Sequence, residues 1–168
     1  AALVRPRDAI GVPLGPGQPT TFLHALVERD DWEELVVHGA LLIDLYAVFT
    51  KPNVKLRTGF MGPAERFLLA SGADVEFVPA DFRRFSLVAE RIAPRVVATA
   101  AAAIDADGYL SLSLHAGATI DEMRRAGAHP DRILVVEANV RLPRTYGVEP
   151  LHPHRIHIDE IDVLVESD

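Results

Sequence analysis

The chain has 168 residues, 49% apolar and 24% charged, with a net charge of -7 and no cysteine. A chain of this length forms one domain and buries roughly 70% of the surface it exposes when unfolded. The missing cysteine excludes disulfides, thiolate metal sites and a cysteine nucleophile and fits a cytoplasmic setting. The acidic balance speaks against nucleic acid as a partner, and no apolar run approaches the roughly 20 residues that span a bilayer.

The opening AALVRPRDAI has neither a signal-peptide pattern nor an initiator Met, which points to a processed chain or one cut from something longer. Ala9 to Val12 reads as a strand, and GPGQP (Gly15 to Pro19) follows it directly. Thr20 to Arg29 is predicted helical, with Phe22, Leu23, Leu26 and Val27 on one face and Thr20 or Thr21 as its cap. Leu35 to Gly39 is a second strand, while Leu41 to Phe49 fits a strand or a short helix. Val54 to Phe60 is a strand entering the turn Gly62-Pro63, then Ala64 to Ser71 a helix closed by Gly72. Glu76 to Pro79 is extended and Phe82 to Ile92 helical. Val96 to Ala103 is apolar throughout, as in a strand covered on both faces.

Asp105 to Gly108 is a turn by residue type. Ala118 to Gly127 is a helix starting near Thr119, with Asp121 and Glu122 in its first turn, where they favour the helix dipole. Ile133 to Glu137 and Ile161 to Glu166 are the last strands, and Leu142 to Pro153 is a long loop. Alternating strands and helices of this kind specify an α/β fold, an open, mostly parallel sheet with helices on both faces. Ligands of such sheets bind beyond the carboxyl ends of strands, which singles out the loops at Gly15, Gly59 and Asn139.

Each candidate chemistry has a plain structural counterpart. GPGQP lies where a phosphate loop would, but it lacks the Gly-Lys-Ser/Thr ending, and Pro19 and Thr20 stand where a third glycine would be. Pro16 and Pro19 also remove two N–H donors, so a rigid turn is the better local reading. His152, His154 and His157 offer imidazoles to a metal, with Asp159, Glu160 and Asp162 nearby. In an extended chain, however, His157 points away from the other two. Glu137 ends a buried strand, where a carboxylate serves as acid, base or nucleophile; its structural reading is a pair with Arg141 or Arg144. Ser111, Ser113 and His115 lack the Gly-x-Ser-x-Gly elbow of a hydrolase.

The stretches GPGQP, GFMGPAERFLLASGADVEFVPADF, DADGYLSLSLHAGAT, VVEANVRLPRTYG and IHIDEIDVLVESD occur along the whole chain in one order. In that order they resemble the acetyl-CoA hydrolase/transferase family, which includes 4-hydroxybutyrate and succinyl-CoA:acetate CoA-transferases. The resemblance implies a CoA-transferase-type open α/β fold and places residues 1–168 as a single domain, the amino-terminal half of a two-domain enzyme. The family's nucleophilic glutamate and Gly-Ile-Gly-type loop belong to a carboxyl-terminal half absent from this sequence, so the resemblance implies no catalytic residue here. Glu137 matches a glutamate of the amino-terminal motif and not the nucleophile.

Read this way, the chain forms one wall of a cleft for acyl-CoA and a small carboxylate, with CoA as substrate and no permanently bound cofactor or metal. Its partner is a carboxyl-terminal domain or subunit, in a homo- or hetero-oligomer, and the chain alone is expected to be inactive. The expected substrate-binding residues are Gly15, Gly17, Gln18, Gly59, Phe60, Asn139, Arg144 and Thr145, with Gln18 bonding a substrate carboxylate or carbonyl and Arg144 a carboxylate or CoA phosphate. Two alternatives are a non-catalytic acyl-CoA binding or scaffolding module and a metal-dependent hydrolase using His152, His154 and His157.

Overall fold

A computed structural model describes residues 1–115 and 119–168. Seven strands, β1 (Arg7–Leu14), β2 (Glu34–Ala40), β3 (Val54–Thr58), β4 (Asp74–Phe77), β5 (Val96–Ala102), β7 (Ile133–Asn139) and β9 (Val163–Ser167), form one sheet in the order β4-β3-β2-β1-β5-β7-β9. Every pairing in it is parallel. The helices are α1 (Thr20–Ala25), α2 (Pro63–Ala70), α3 (Phe85–Ile92) and α4 (Ile120–Gly127).

Strand alternation divides the apolar residues into two cores. On one face Ile10, Val12, Leu35, Val37, Leu56, Val96 and Val135 pack with Phe22, Leu23 and Leu26 from α1 and its extension and Leu68 from α2. On the other, Val97, Ala101, Leu134 and Val136 pack with Met123 and Ala126 of α4 and with Leu110, Leu112 and Ile156. All seven residues of β5 are buried, Thr99 among them. The second face is weaker over β1 to β4, where Gly11, His38, Arg57 and Glu76 lie in one cross-strand row. Phe85, Val88, Ala89 and Ile92 line that side from α3, which contributes no buried residue.

Several local expectations change. The helix predicted from Thr20 to Arg29 becomes 3-10 after Ala25. Leu41 to Phe49 is neither strand nor α-helix but a loop ending in a 3-10 turn, Ala47–Thr50. Tyr109–Ser111 (β6) and Arg155–His157 (β8) pair antiparallel as a separate small sheet; three-residue strands are too short to carry a periodicity. Asp121 and Glu122 occupy the first turn of α4 as expected, although Glu122 is buried and ion-paired with Arg132 at 2.5 Å. Ala118, the expected beginning of that helix, lies outside the described residues. Among the described residues no helix is long and apolar enough to cross a membrane.

Candidate functional site

Strand order reverses between β1 and β5, so the crevice at their carboxyl ends is the position where an open parallel sheet takes ligands. The GPGQP turn fills it. Gly15 to Gly17 form a 3-10 turn closed by Gln18 N–H donating to Gly15 O at 3.1 Å, and Gly15 has φ +50°, which suits glycine. A Cβ on Gly17 would lie 2.8 Å from Pro13 Cβ and 2.9 Å from His115 Cβ. The turn is therefore wedged between β1 and the loop preceding α4, and of its five residues only Pro16 is exposed.

Glu137 supplies the cap of α1, in place of Thr20 or Thr21. The position before the helix is Pro19, which has no capping side chain. From β7, Glu137 accepts hydrogen bonds from Thr21 N at 3.2 Å and Phe22 N at 2.9 Å. It is 1% exposed, and its charge meets the positive end of the helix. The expected pairing of Glu137 with Arg141 or Arg144 does not occur: no carboxylate lies within 4.0 Å of Arg141 among the described residues, and Arg144 pairs with Asp105 at 2.8 Å.

The Gln18 amide is bonded inside the protein. It is 1% exposed. Its Nε2 donates to Ala40 O and Leu41 O at 3.1 and 3.3 Å, while its Oε1 accepts from Ile43 N and Tyr46 Oη at 3.3 and 3.2 Å. Buried Glu65 adds a second tether, accepting from Leu42 N at 2.7 Å. Together they hold the 41–46 loop so that Leu41, Ile43 and Leu45 are exposed at the sheet's carboxyl edge. Leu41 has φ +53° and spans from Gly15 to Gly62, a strained conformation that these buried bonds over-determine. Gly59 and Phe60 lie in the next loop, where Phe60 N donates to Thr58 Oγ1 at 3.2 Å. Tyr46 and Glu65 were not anticipated from sequence, where each reads as an ordinary loop or helix residue.

On the far side of the crevice, Asn139 Oδ1 accepts from Arg141 N at 2.8 Å, turning the chain at the end of β7. Arg144 donates to Asp105 Oδ2 and Ala103 O, both at 2.8 Å, so its guanidinium fastens the loop to the Asp105 turn. Thr145 is equally tied, its N–H to Ser111 Oγ at 3.0 Å and its hydroxyl to Ser113 O at 2.8 Å. Thus Gly15, Gly17, Gln18, Gly59 and Phe60 line the edge on the β1–β3 side, and Asn139, Arg144 and Thr145 flank it beyond β5.

The serines and histidines have structural partners. Ser111 and Ser113 donate to Thr145 O and Pro143 O at 2.8 and 2.7 Å. His115 Nε2 lies 3.0 Å from Thr119 Oγ1, and burial with the neighbouring His154 pushes its pKa down to about 4, so its ring is neutral at pH 7. His154 Nε2 donates to Ser113 O at 2.9 Å, His157 Nδ1 accepts from Asp159 N at 3.3 Å, and His152 is exposed. Among the described residues no three His, Cys, Asp or Glu side chains are grouped to hold a metal ion.

No protein-family model matches the chain. It is 30% identical to the succinyl-CoA:cyclohexane-1-carboxylate CoA transferase of Geobacter metallireducens, over 172 positions covering 100% of this chain and 37% of that protein. The crystal structure of RipA from Yersinia pestis superposes with a TM-score of 0.78 at 24% identity, covering 95% of this chain and 38% of that one. The 4-hydroxybutyrate CoA-transferase from Porphyromonas gingivalis gives a TM-score of 0.63 at 15% identity, covering 98% and 36%. The chain therefore spans well under half the length of these relatives, and the two solved structures share its fold. Along its whole length the chain is thus similar to part of a CoA transferase, and its seven-stranded parallel sheet has the fold of the two solved structures.

Proposed function

We propose that this chain is the amino-terminal, substrate-side half of a CoA-transferase or acyl-CoA hydrolase, and that the carboxyl edge of its sheet forms one wall of the acyl-CoA cleft. The observation that carries the reading is the 30% identity along the whole chain to a CoA transferase of which it covers 37%. The edge itself supports it. Leu41, Ile43, Leu45 and Phe60 on one side and Val140 and Tyr146 on the other are exposed large side chains, a pattern that marks an interaction surface.

In this reading, a glutamate carboxylate of the carboxyl-terminal half attacks the thioester carbonyl and expels CoA thiolate, leaving a mixed anhydride. The thiolate then attacks the glutamyl carbonyl, releases the acyl group as a carboxylate and leaves a glutamyl-CoA thioester. An incoming carboxylate, or water, reverses or ends the sequence. This chain's residues hold the wall: Glu137 fixes α1, Gly17 lets the turn pack closely, and Gln18 and Glu65 set the 41–46 loop. The test is acyl exchange between an acyl-CoA and acetate or succinate, measured with the chain alone and with a relative's carboxyl-terminal half added. Exchange is expected only in the mixture, and robust turnover by the chain alone would refute the division of labour.

A further inference from the structure

Helix α3 has an apolar side that it does not bury. Phe85, Val88, Ala89 and Ile92 recur at helical spacing and share that side, yet each stays partly exposed. A helix packed directly on the sheet would cover them. Instead they stand off the sheet and enclose a cavity with His38, Arg57 and Val97. About 50 Å³ of it is open to the centre of a water-sized sphere, several times the roughly 10–15 Å³ that one water requires. Pro94 closes one end, where a Cβ on Gly11 would lie 2.7 Å from its Cγ. The cavity lies on the face of the sheet, beneath α3, and not in the crevice that the GPGQP turn fills.

The charges at its wall are matched. Arg57 Nε donates to Glu76 Oε2 at 2.8 Å, and Glu122 pairs with Arg125 and Arg132. The hydroxyls are engaged as well: Thr58 Oγ1 donates to Phe60 O at 2.7 Å, and Thr119 Oγ1 lies 3.0 Å from His115 Nε2. His38 differs. Its imidazole makes no hydrogen bond among the described residues, and burial, with Arg57 beside it, lowers its pKa to about 4. The ring is therefore neutral at pH 7 and offers one N–H donor and one acceptor. An apolar cavity with a polar group that fixes orientation is the usual make-up of a small-molecule site. With the neighbouring charges already paired, a charged ligand would find little to offset its loss of water.

We propose that the space between α3 and the sheet binds a compact, uncharged, chiefly apolar molecule, of the class of phenols and alicyclic alcohols, whose oxygen bonds to His38. The site goes beyond the CoA-transferase reading and does not rest on it.

The test is titration of the purified chain with phenol, toluene and benzoate, followed by amide chemical shifts and by nuclear Overhauser contacts from the ligand. Phenol is expected to shift Val88, Ala89 and Ile92 saturably and to contact the methyl groups of Val88 and Ile92 and the ring of His38. Benzoate is expected to bind more weakly than phenol. In His38→Leu the ratio of phenol to toluene affinity is expected to fall roughly 3–10-fold, the loss of one hydrogen bond, and Ala89→Leu, which fills the cavity, is expected to abolish binding of both. No saturable shift along α3, or undiminished binding by Ala89→Leu, overturns the site. Benzoate binding as tightly as phenol overturns the uncharged class, and an unchanged ratio in His38→Leu, or no contact to the His38 ring, overturns the role of His38.

Discussion

Replacing Glu137 by Ala removes a carboxylate that joins two elements more than a hundred residues apart. The carboxylate accepts from Thr21 N and Phe22 N at 3.2 and 2.9 Å. Hydrogen bonds to a charged group contribute about 1.5–3 kcal/mol each, and a buried N–H left without a partner costs about 1–3 kcal/mol. Thr21 is exposed and regains water as a partner, whereas Phe22 is buried and does not. The Phe22 bond therefore dominates, and the expected loss is about 2–4 kcal/mol. For a chain of this size that lowers Tm by roughly 4–16 °C.

Glu137→Gln keeps one acceptor, turns its amide group towards a donor, and is expected to lose about 1–2 kcal/mol. Urea unfolding followed by far-ultraviolet circular dichroism measures both. A Glu137→Ala midpoint equivalent to less than about 0.5 kcal/mol from wild type, the usual spread for an uninvolved surface change, would show that the cap contributes nothing. Loss of reconstituted acyl exchange in Glu137→Gln without any loss of stability would instead make Glu137 a catalytic group and refute its structural role.

Gln18→Ala is expected to cost about 2–3 kcal/mol, because it leaves the buried Tyr46 hydroxyl and the Ile43 N–H without their acceptor, and to speed amide exchange at Ile43 more than in β2; equal protection in variant and wild type would rule out the tether. Stability is also expected to fall as pH drops from about 6.5 to about 4, since the buried His115 has its pKa lowered to about 4 and the unfolded chain takes up the proton first. That imidazole accounts for up to ~3 kcal/mol of the change, so His115→Gln flattens the pH dependence of the urea midpoint, and an unchanged slope refutes this.

The helices and strands that the sequence announces best are those with long apolar runs. β5 is rich in valine and alanine and buried throughout, β7 opens on the apolar run Ile133 to Val136, and both are present with nearly the expected bounds. β6 and β8 are three residues each, held by pairing with one another, so local pattern carries no sign of them. The 41–49 segment has strand-like composition but follows β2, whose two edges are already taken by β1 and β3. Gln18 and Glu65 fix it as a loop instead.

From the sequence alone came the sheet class, the three loops at its ligand end and the likeness to CoA-transferases, because periodicity, glycine turns and ordered motifs are local and survive in one dimension. Which polar side chain serves which purpose was decided only by the tertiary structure. Gln18, Arg144 and Thr145, expected to face a ligand, bond to the protein itself, and Glu137 holds a helix and not a neighbouring arginine. Their partners lie roughly 20 to 115 residues away along the chain. A hydrogen bond is a matter of a few tenths of an ångström, and such distances exist only after β1, β2, β5 and β7 have come together.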